Sequence, residues 1–188
     1  MSQLIRRSTF LWLLFAAVLA SGCAGLNQYA EGPEPAGPGA GQARIYFVLA
    51  QGYPGGRAFI VEEDKLIGFV SNRQYVVADV PAGEHLFMLI SEQTEGVTGQ
   101  FEAGKTYYMK MFITPGFGST RVYWTPLTAT GEDQQAREKG LAASRRVELN
   151  QAKVPAWEAK YAEKNRRRAA NFRAGKDEAK AIGPEHGA

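Results

Sequence analysis

From Ala43 onward the apolar residues come in short bursts. ARIYFVL, RAFIVEE, KLIGFV, QYVVADV, EHLFMLI, VTGQFEA, KTYYMKMFI and TRVYWTP are rich in β-branched and aromatic side chains. The turn-forming stretches YPGG, EEDK, SNR, VPAG, SEQTEG, EAGK and TPGFG separate them. Runs of this length and spacing, with no helical pattern between them, predict an antiparallel sandwich or barrel. Several runs alternate. In QYVVADV, Tyr75, Val77 and Asp79 fall on one face, and Val76, Ala78 and Val80 on the other. A symmetric hairpin centred near Ala82 in VPAG pairs Asp79 with His85, as a fastening for the turn rather than a reactive pair.

The pattern changes on both sides of this block. Residues 131–188 are rich in Ala, Glu, Lys, Arg and Gln, all good helix formers. Gly140 and Pro155 are expected to interrupt the helix. Trp157 and Tyr161 lie four apart and share a helical face, with Phe172 near the same stripe. That stripe is too sparse for a coiled coil and predicts a helical arm, partly packed on the sandwich and partly frayed. On the other side, AGLNQYAEGPEPAGPGAGQ after Cys23 is dense in Gly and Pro, and predicts a flexible tether. Its GPGAG has neither the preceding strand nor the following helix of a dinucleotide-binding loop. The predicted organisation is therefore 1–22 leader, 23–42 tether, 43–130 β-sandwich and 131–188 basic, mostly helical tail.

The leader has three zones: MSQLIRRST with Arg6 and Arg7 and no acid, the unbroken apolar run FLWLLFAAVLA from Phe10 to Ala20, then small residues up to Cys23. Basic, apolar, small is the layout of an export signal. The apolar run is about half of the roughly 20 residues that span a bilayer, which disfavours a retained anchor. Ala20-Ser21-Gly22-Cys23 resembles the lipobox of bacterial lipoproteins, with Ala20 where that pattern prefers Leu. The resemblance implies cleavage after Gly22 and lipidation of Cys23, with diacylglycerol on the sulfur. More than one acyl chain is needed for stable anchoring. Ala24 rather than Asp after the cysteine implies, by similarity to enteric lipoproteins, the outer membrane facing the periplasm.

Cys23 is the only cysteine of the 188 residues. That leaves no intramolecular disulfide and no cysteine zinc site. The two histidines, His85 and His186, offer little for metal or acid–base work. His85 is expected to bond the turn or Asp79, and His186, in GPEHGA, to be disordered. No G-x-S-x-G, H-E-x-x-H or P-loop occurs, so neither a catalytic residue, a metal nor a cofactor is assigned. Glu62, Glu63 and Asp64 suggest cation binding but fall at a turn where solvated acids are ordinary. Tyr107, Tyr108, Tyr123 and Trp124 suggest an aromatic platform for a glycan, against the plainer reading as core and surface of a small sandwich.

Charge is unevenly placed. Residues 131–188 hold thirteen Lys and Arg against nine Asp and Glu, or +4; residues 24–130 hold seven against ten, or −3. The run KNRRRAANFR, residues 164–173, would suggest nucleic acid in a cytoplasmic chain. In an exported one no nucleic acid is expected; a solvated helix face is the commoner reading of such a run, and anionic lipid, lipopolysaccharide phosphate or the cell-wall polymer are the counterparts it could meet.

QARIYFVLAQGY, YVVADVPAGEHLFML and FEAGKTYYMKM, in that order, resemble the bacterial envelope family called domain of unknown function 2846, over about residues 42–130. The resemblance implies a small transthyretin-like or immunoglobulin-like β-sandwich, often in lipoproteins, and no reaction; the basic tail lies outside its pattern. The sequence thus predicts a mainly β, lipid-anchored envelope protein with a non-enzymatic binding or scaffolding role toward an envelope protein or peptidoglycan. A carbohydrate-active module and an inhibitor or immunity-type lipoprotein are the alternatives. Cys23→Ser is expected to move the protein from the membrane to the soluble fraction in detergent-free fractionation; a variant that stays membrane-bound contradicts the anchor.

Overall fold

The computed structural model describes residues 25–34, 36–51, 56–115 and 120–188; the predicted leader, its cleavage site and Cys23 lie outside the described residues. In chain order come β1 (Asn27–Tyr29), β2 (Gln42–Leu49), β3 (Arg57–Glu62), β4 (Lys65–Ser71), β5 (Gln74–Pro81), β6 (Gly83–Ile90), β7 (Thr94–Phe101), β8 (Thr106–Pro115) and β9 (Thr120–Leu127). Then follow α1 (Gly131–Ala142), β10 (Arg145–Leu149), α2 (Val154–Arg173), β11 (Ala179–Ile182) and a 3-10 turn at Pro184–His186. The strands form two sheets, β1-β10-β5-β2-β8-β9 and β11-β7-β6-β3-β4. The mainly β sandwich with a helical C-terminal part is therefore present.

Alternation in the sequence sets the inner layer. Ile45, Phe47 and Leu49 of β2 face Ile60, Phe87 and Leu89 of the other sheet, and all six are buried. Phe47 meets Phe87 edge-on at 5.6 Å and Trp124 at 5.9 Å, a geometry that aromatic quadrupoles favour.

The sheets are mixed rather than wholly antiparallel: β2 with β8, β10 with β5, and β11 with β7 run parallel. The cause lies in the corners. VPAG is not a hairpin, because β5 and β6 belong to different sheets. Pro81 ends one strand and Gly83, at φ +146°, starts the next, a backbone angle that only glycine takes without strain. Asp79 and His85 are consequently not partners. Asp79 lies opposite Arg44 and His85 opposite Gly99.

The flanking segments are built into the sandwich. β1, inside the predicted tether, pairs antiparallel with β10. Arg146 donates to the carbonyls of Pro33 and Glu31 at 3.1 and 3.2 Å. Glu34 accepts from the Tyr46 hydroxyl at 2.7 Å and from the Tyr75 hydroxyl. A Gly/Pro-rich stretch need not stay flexible when its backbone acceptors meet a guanidinium. Likewise, residues 131–188 are not an arm but contribute β10 to one sheet and β11 to the other.

The outer face of the second sheet carries Val61, Leu66, Leu86, Met88 and Ile90, and α2 covers it with Ala169 and Phe172, with Trp157 alongside. The predicted stripe is thus the packed face, with the Trp157 and Tyr161 rings 4.9 Å apart. Pro155 does not interrupt the helix but sits in its first turn, where its missing N–H would have no partner. Gly140 does not interrupt α1 either. It lies inside the helix, and a Cβ there would reach Val48 at 3.4 Å.

Two glycines of β7 make the tail fit. A Cβ on Gly96 would come within 2.8 Å of the Phe172 ring, and one on Gly99 would overlap Ile182, its carbonyl included. Gly99→Ala is expected to cost about 1–3 kcal/mol through overpacking. Thermal unfolding checks the loss, and proteolysis should be faster near residues 175–183, where β11 leaves its partner.

Candidate functional site

α1 is nearly all polar: GEDQQAREKGLA offers Leu141 as its single large apolar side chain. It is held on the first sheet by specific polar contacts instead of an apolar stripe. Arg137 is the anchor. Its guanidinium is buried, lies 4.1 Å over the Tyr108 ring, and donates to the carbonyls of Leu127 and His186 at 3.1 and 3.3 Å. Burial lowers its pKa. Asp133 accepts from the Thr128 N–H and hydroxyl, each at 2.9 Å, and the backbone bond, then the hydroxyl, depress its pKa.

A polar helix held by Arg137 and Asp133, with no apolar stripe, does not pack along the whole sheet. Between α1 and the outward side chains of β2, β8 and β9 a groove of about 840 Å³ remains. Val48, Phe112, Ile113 and Ala136 supply apolar lining; Lys110, Glu132, Gln135 and Lys139 add polar and charged groups. Lys110 lies with its ammonium 4.7 Å over the Phe112 ring. The size falls in the range of ordinary ligand clefts.

One end of the groove continues into an aromatic stack that the sequence reading did not find. Arg137 covers Tyr108, Tyr108 stacks on Tyr46 at 4.6 Å and 8°, and Tyr46 meets Tyr75 at 6.2 Å. Burial and then the Glu34 hydrogen bond push the Tyr75 phenol up to about 12 and raise that of Tyr46 as well. Beside the stack, Arg44 grips Asp79 with both prongs, at 2.7 and 2.8 Å. Arg44 is 2% exposed, and the hydrogen bond to Asp79 outweighs desolvation and raises its pKa. The available signal was the register. Arg44, Tyr46, Tyr75 and Asp79 all occupy outward positions in runs that otherwise alternate cleanly.

The other predicted groups disperse. Tyr107 and Trp124 are fully buried between the sheets. Tyr108 belongs to the stack, and Tyr123 lies under the Lys180 ammonium, which also donates to the Trp124 carbonyl at 2.8 Å. The four therefore do not form one platform. His85 bonds the turn as expected, through Nε2 and the Pro81 carbonyl at 2.7 Å, but its Nδ1 meets Glu62 instead of Asp79. His186 is not disordered: it belongs to the 3-10 turn, with Nδ1 3.1 Å from the Gly183 N–H.

Glu62, Glu63 and Asp64 do form a hairpin tip, between β3 and β4. Instead of a solvated turn or a cation site, the tip clasps its surroundings: Glu62 meets His85, Glu63 meets Arg173 and Asp64 meets Arg166. Glu158 accepts from the Leu66 N–H at 3.0 Å and pairs with Lys65 at 3.6 Å. Among the described residues, no group of three His, Cys, Asp or Glu converges to hold a metal ion, and no helix is long and apolar enough to cross a membrane.

Comparison with protein-family models, with curated proteins and with solved structures finds no match for this chain.

Arg137→Ala removes the stack and leaves two carbonyls without their charged donor. We expect a loss of about 1.5–3 kcal/mol, the range for hydrogen bonds to charged groups. Amide exchange over residues 131–142 should rise well above that of β8.

Proposed function

We propose that this protein is a lipid-anchored component of the bacterial cell envelope, held at the periplasmic face of the outer membrane through Cys23. Its role is to bind a partner protein, and it performs no catalysis. The lipobox resemblance supports the anchor. The groove between α1 and the outer face of the first sheet carries the binding reading. It presents apolar side chains along a channel with charges among them, the combination that takes up an extended or helical apolar segment of another polypeptide. A glycan strand is the poorer occupant, because two of the four aromatics that would have stacked on it lie in the core.

The test is photo-crosslinking in cells from a benzophenone amino acid at Gln135, on the groove wall. A discrete adduct with an envelope protein is expected. Ala136→Trp, which fills the groove from the half-exposed side of α1, should abolish the adduct while leaving the far-ultraviolet circular dichroism unchanged. An adduct that persists undiminished in that variant assigns the partner to another surface.

A further inference from the structure

The side of α2 that does not touch the sandwich carries a row of cations. Lys160, Lys164 and Arg167 are exposed and stand at i, i+4 and i+7, so they line one edge of the helix, with Lys153 about two turns further back at its N-cap. This edge differs from the one bearing Arg166 and Arg173, which the hairpin tip neutralises through Asp64 and Glu63. Arg168 is half-buried and bonded to the Asn165 amide oxygen at 3.0 Å. Among the described residues, none of Lys160, Lys164 and Arg167 has an acidic partner. The Lys160 ammonium rests 5.1 Å over the Tyr161 ring. Glu163, three residues after Lys160 and four before Arg167, is the one exposed acid beside the row and leaves it a net positive charge.

The second observation is where the described chain starts. The Leu26 carbonyl accepts from the Asn150 N–H at 2.8 Å, and the Asn150 carbonyl accepts from the Lys153 N–H at 2.8 Å. Leu26 also packs against the apolar cluster under α2, as do Val154 and Trp157. Cys23 is three residues before Leu26, a span of at most about 10 Å. A lipid on Cys23 therefore holds Leu26 within about 10 Å of the headgroups, and Leu26 is joined to the start of α2 through Asn150. Lys160 and Arg167 follow about 9 and 20 Å along the axis from Val154.

We infer that the Lys160–Lys164–Arg167 edge of α2 is a membrane-contact surface that lies on acidic phospholipid headgroups and orients the domain on the bilayer. The inference rests on the proposed lipidation of Cys23, but the edge can be tested without the lipid.

The full chain carrying Cys23→Ser is sedimented with large unilamellar vesicles of phosphatidylcholine alone, and of phosphatidylcholine with phosphatidylglycerol at 3:1. The difference between the two vesicle types isolates the charge-dependent part from any contribution of the N-terminal apolar run. Binding is expected to favour the acidic vesicles and to weaken with salt. A basic side chain near an anionic surface is worth about 1 kcal/mol, or roughly fivefold, so Lys160→Gln/Lys164→Gln/Arg167→Gln should weaken acidic-vesicle binding on the order of a hundredfold. Arg57→Gln/Arg121→Gln, which removes exposed cations elsewhere, should change it less than about twofold by the same measure. Equal binding to both vesicle types, or equal loss in both multiple variants, overturns the inference. So does loss of binding to an acidic peptide in the triple variant when acidic vesicles are not bound at all, which would make the edge a protein site. Failure of the anchor reading shows separately, as wild-type chain in the soluble fraction alongside the Cys23→Ser variant.

Discussion

The outer face of the second sheet is apolar and has to be covered. Leu86, Met88 and Ile90 alternate with core residues along β6, so a strand that fills the interior with Phe87 and Leu89 presents an equally apolar row to the outside. Left in water, such a row would be a large exposed patch of the kind that drives association. Much of the remaining architecture follows from covering it. α2 must lie along the sheet, so β10 and β11 are carried to opposite sheets on its two sides, and β7 must give up side chains at Gly96 and Gly99 to admit Phe172 and Ile182.

Ion pairs then refine what burial establishes. The hairpin tip holds the acids and α2 the bases, a complementarity present in the uneven charges of the two halves. Pairs as exposed as Asp64–Arg166 and Glu63–Arg173 are worth little individually, about 0–1 kcal/mol. Their effect is on register: they select which edge of α2 faces the hairpin, and so which cations stay free. Arg44 and Asp79 are a different case. With the guanidinium almost fully enclosed and both prongs satisfied, removing either partner would leave the other desolvated and alone.

Much of the fold was legible because period-2 alternation is a local property. The strands of the block from Ala43, the hairpin at EEDK and the buried stripe of α2 all follow from neighbours a few residues apart. Corners are not local in that sense. VPAG has the composition of a hairpin turn, and only the competition between sheets decides that the chain crosses from one to the other there; hence the parallel pairings and the separation of Asp79 from His85. The tether misled for a related reason: Gly and Pro describe the freedom of an isolated chain, whereas Arg146 and Glu34 act from 115 residues away and from within the stretch itself. The groove was not legible either. It exists because α1 lacks an apolar face and is pinned by Arg137, a residue that reads in the sequence as one more surface charge.

The pairing of β1 with β10 also has a mechanical side. β1 is three residues long, with Tyr29 half-exposed, and it is the outermost strand of its sheet. Any pull delivered from the N-terminal direction reaches this strand before it reaches the core. Because β1 is antiparallel to its neighbour and so short, it is the first element to yield, while β2, held on both sides by eight- and ten-residue strands, keeps its place. Its release would free residues 27–30, about 13 Å of extended chain, before the Arg146 and Glu34 contacts at residues 31–34 take the load. Such a pull would thus be met in stages, by the strand first and the side-chain contacts second, ahead of the core.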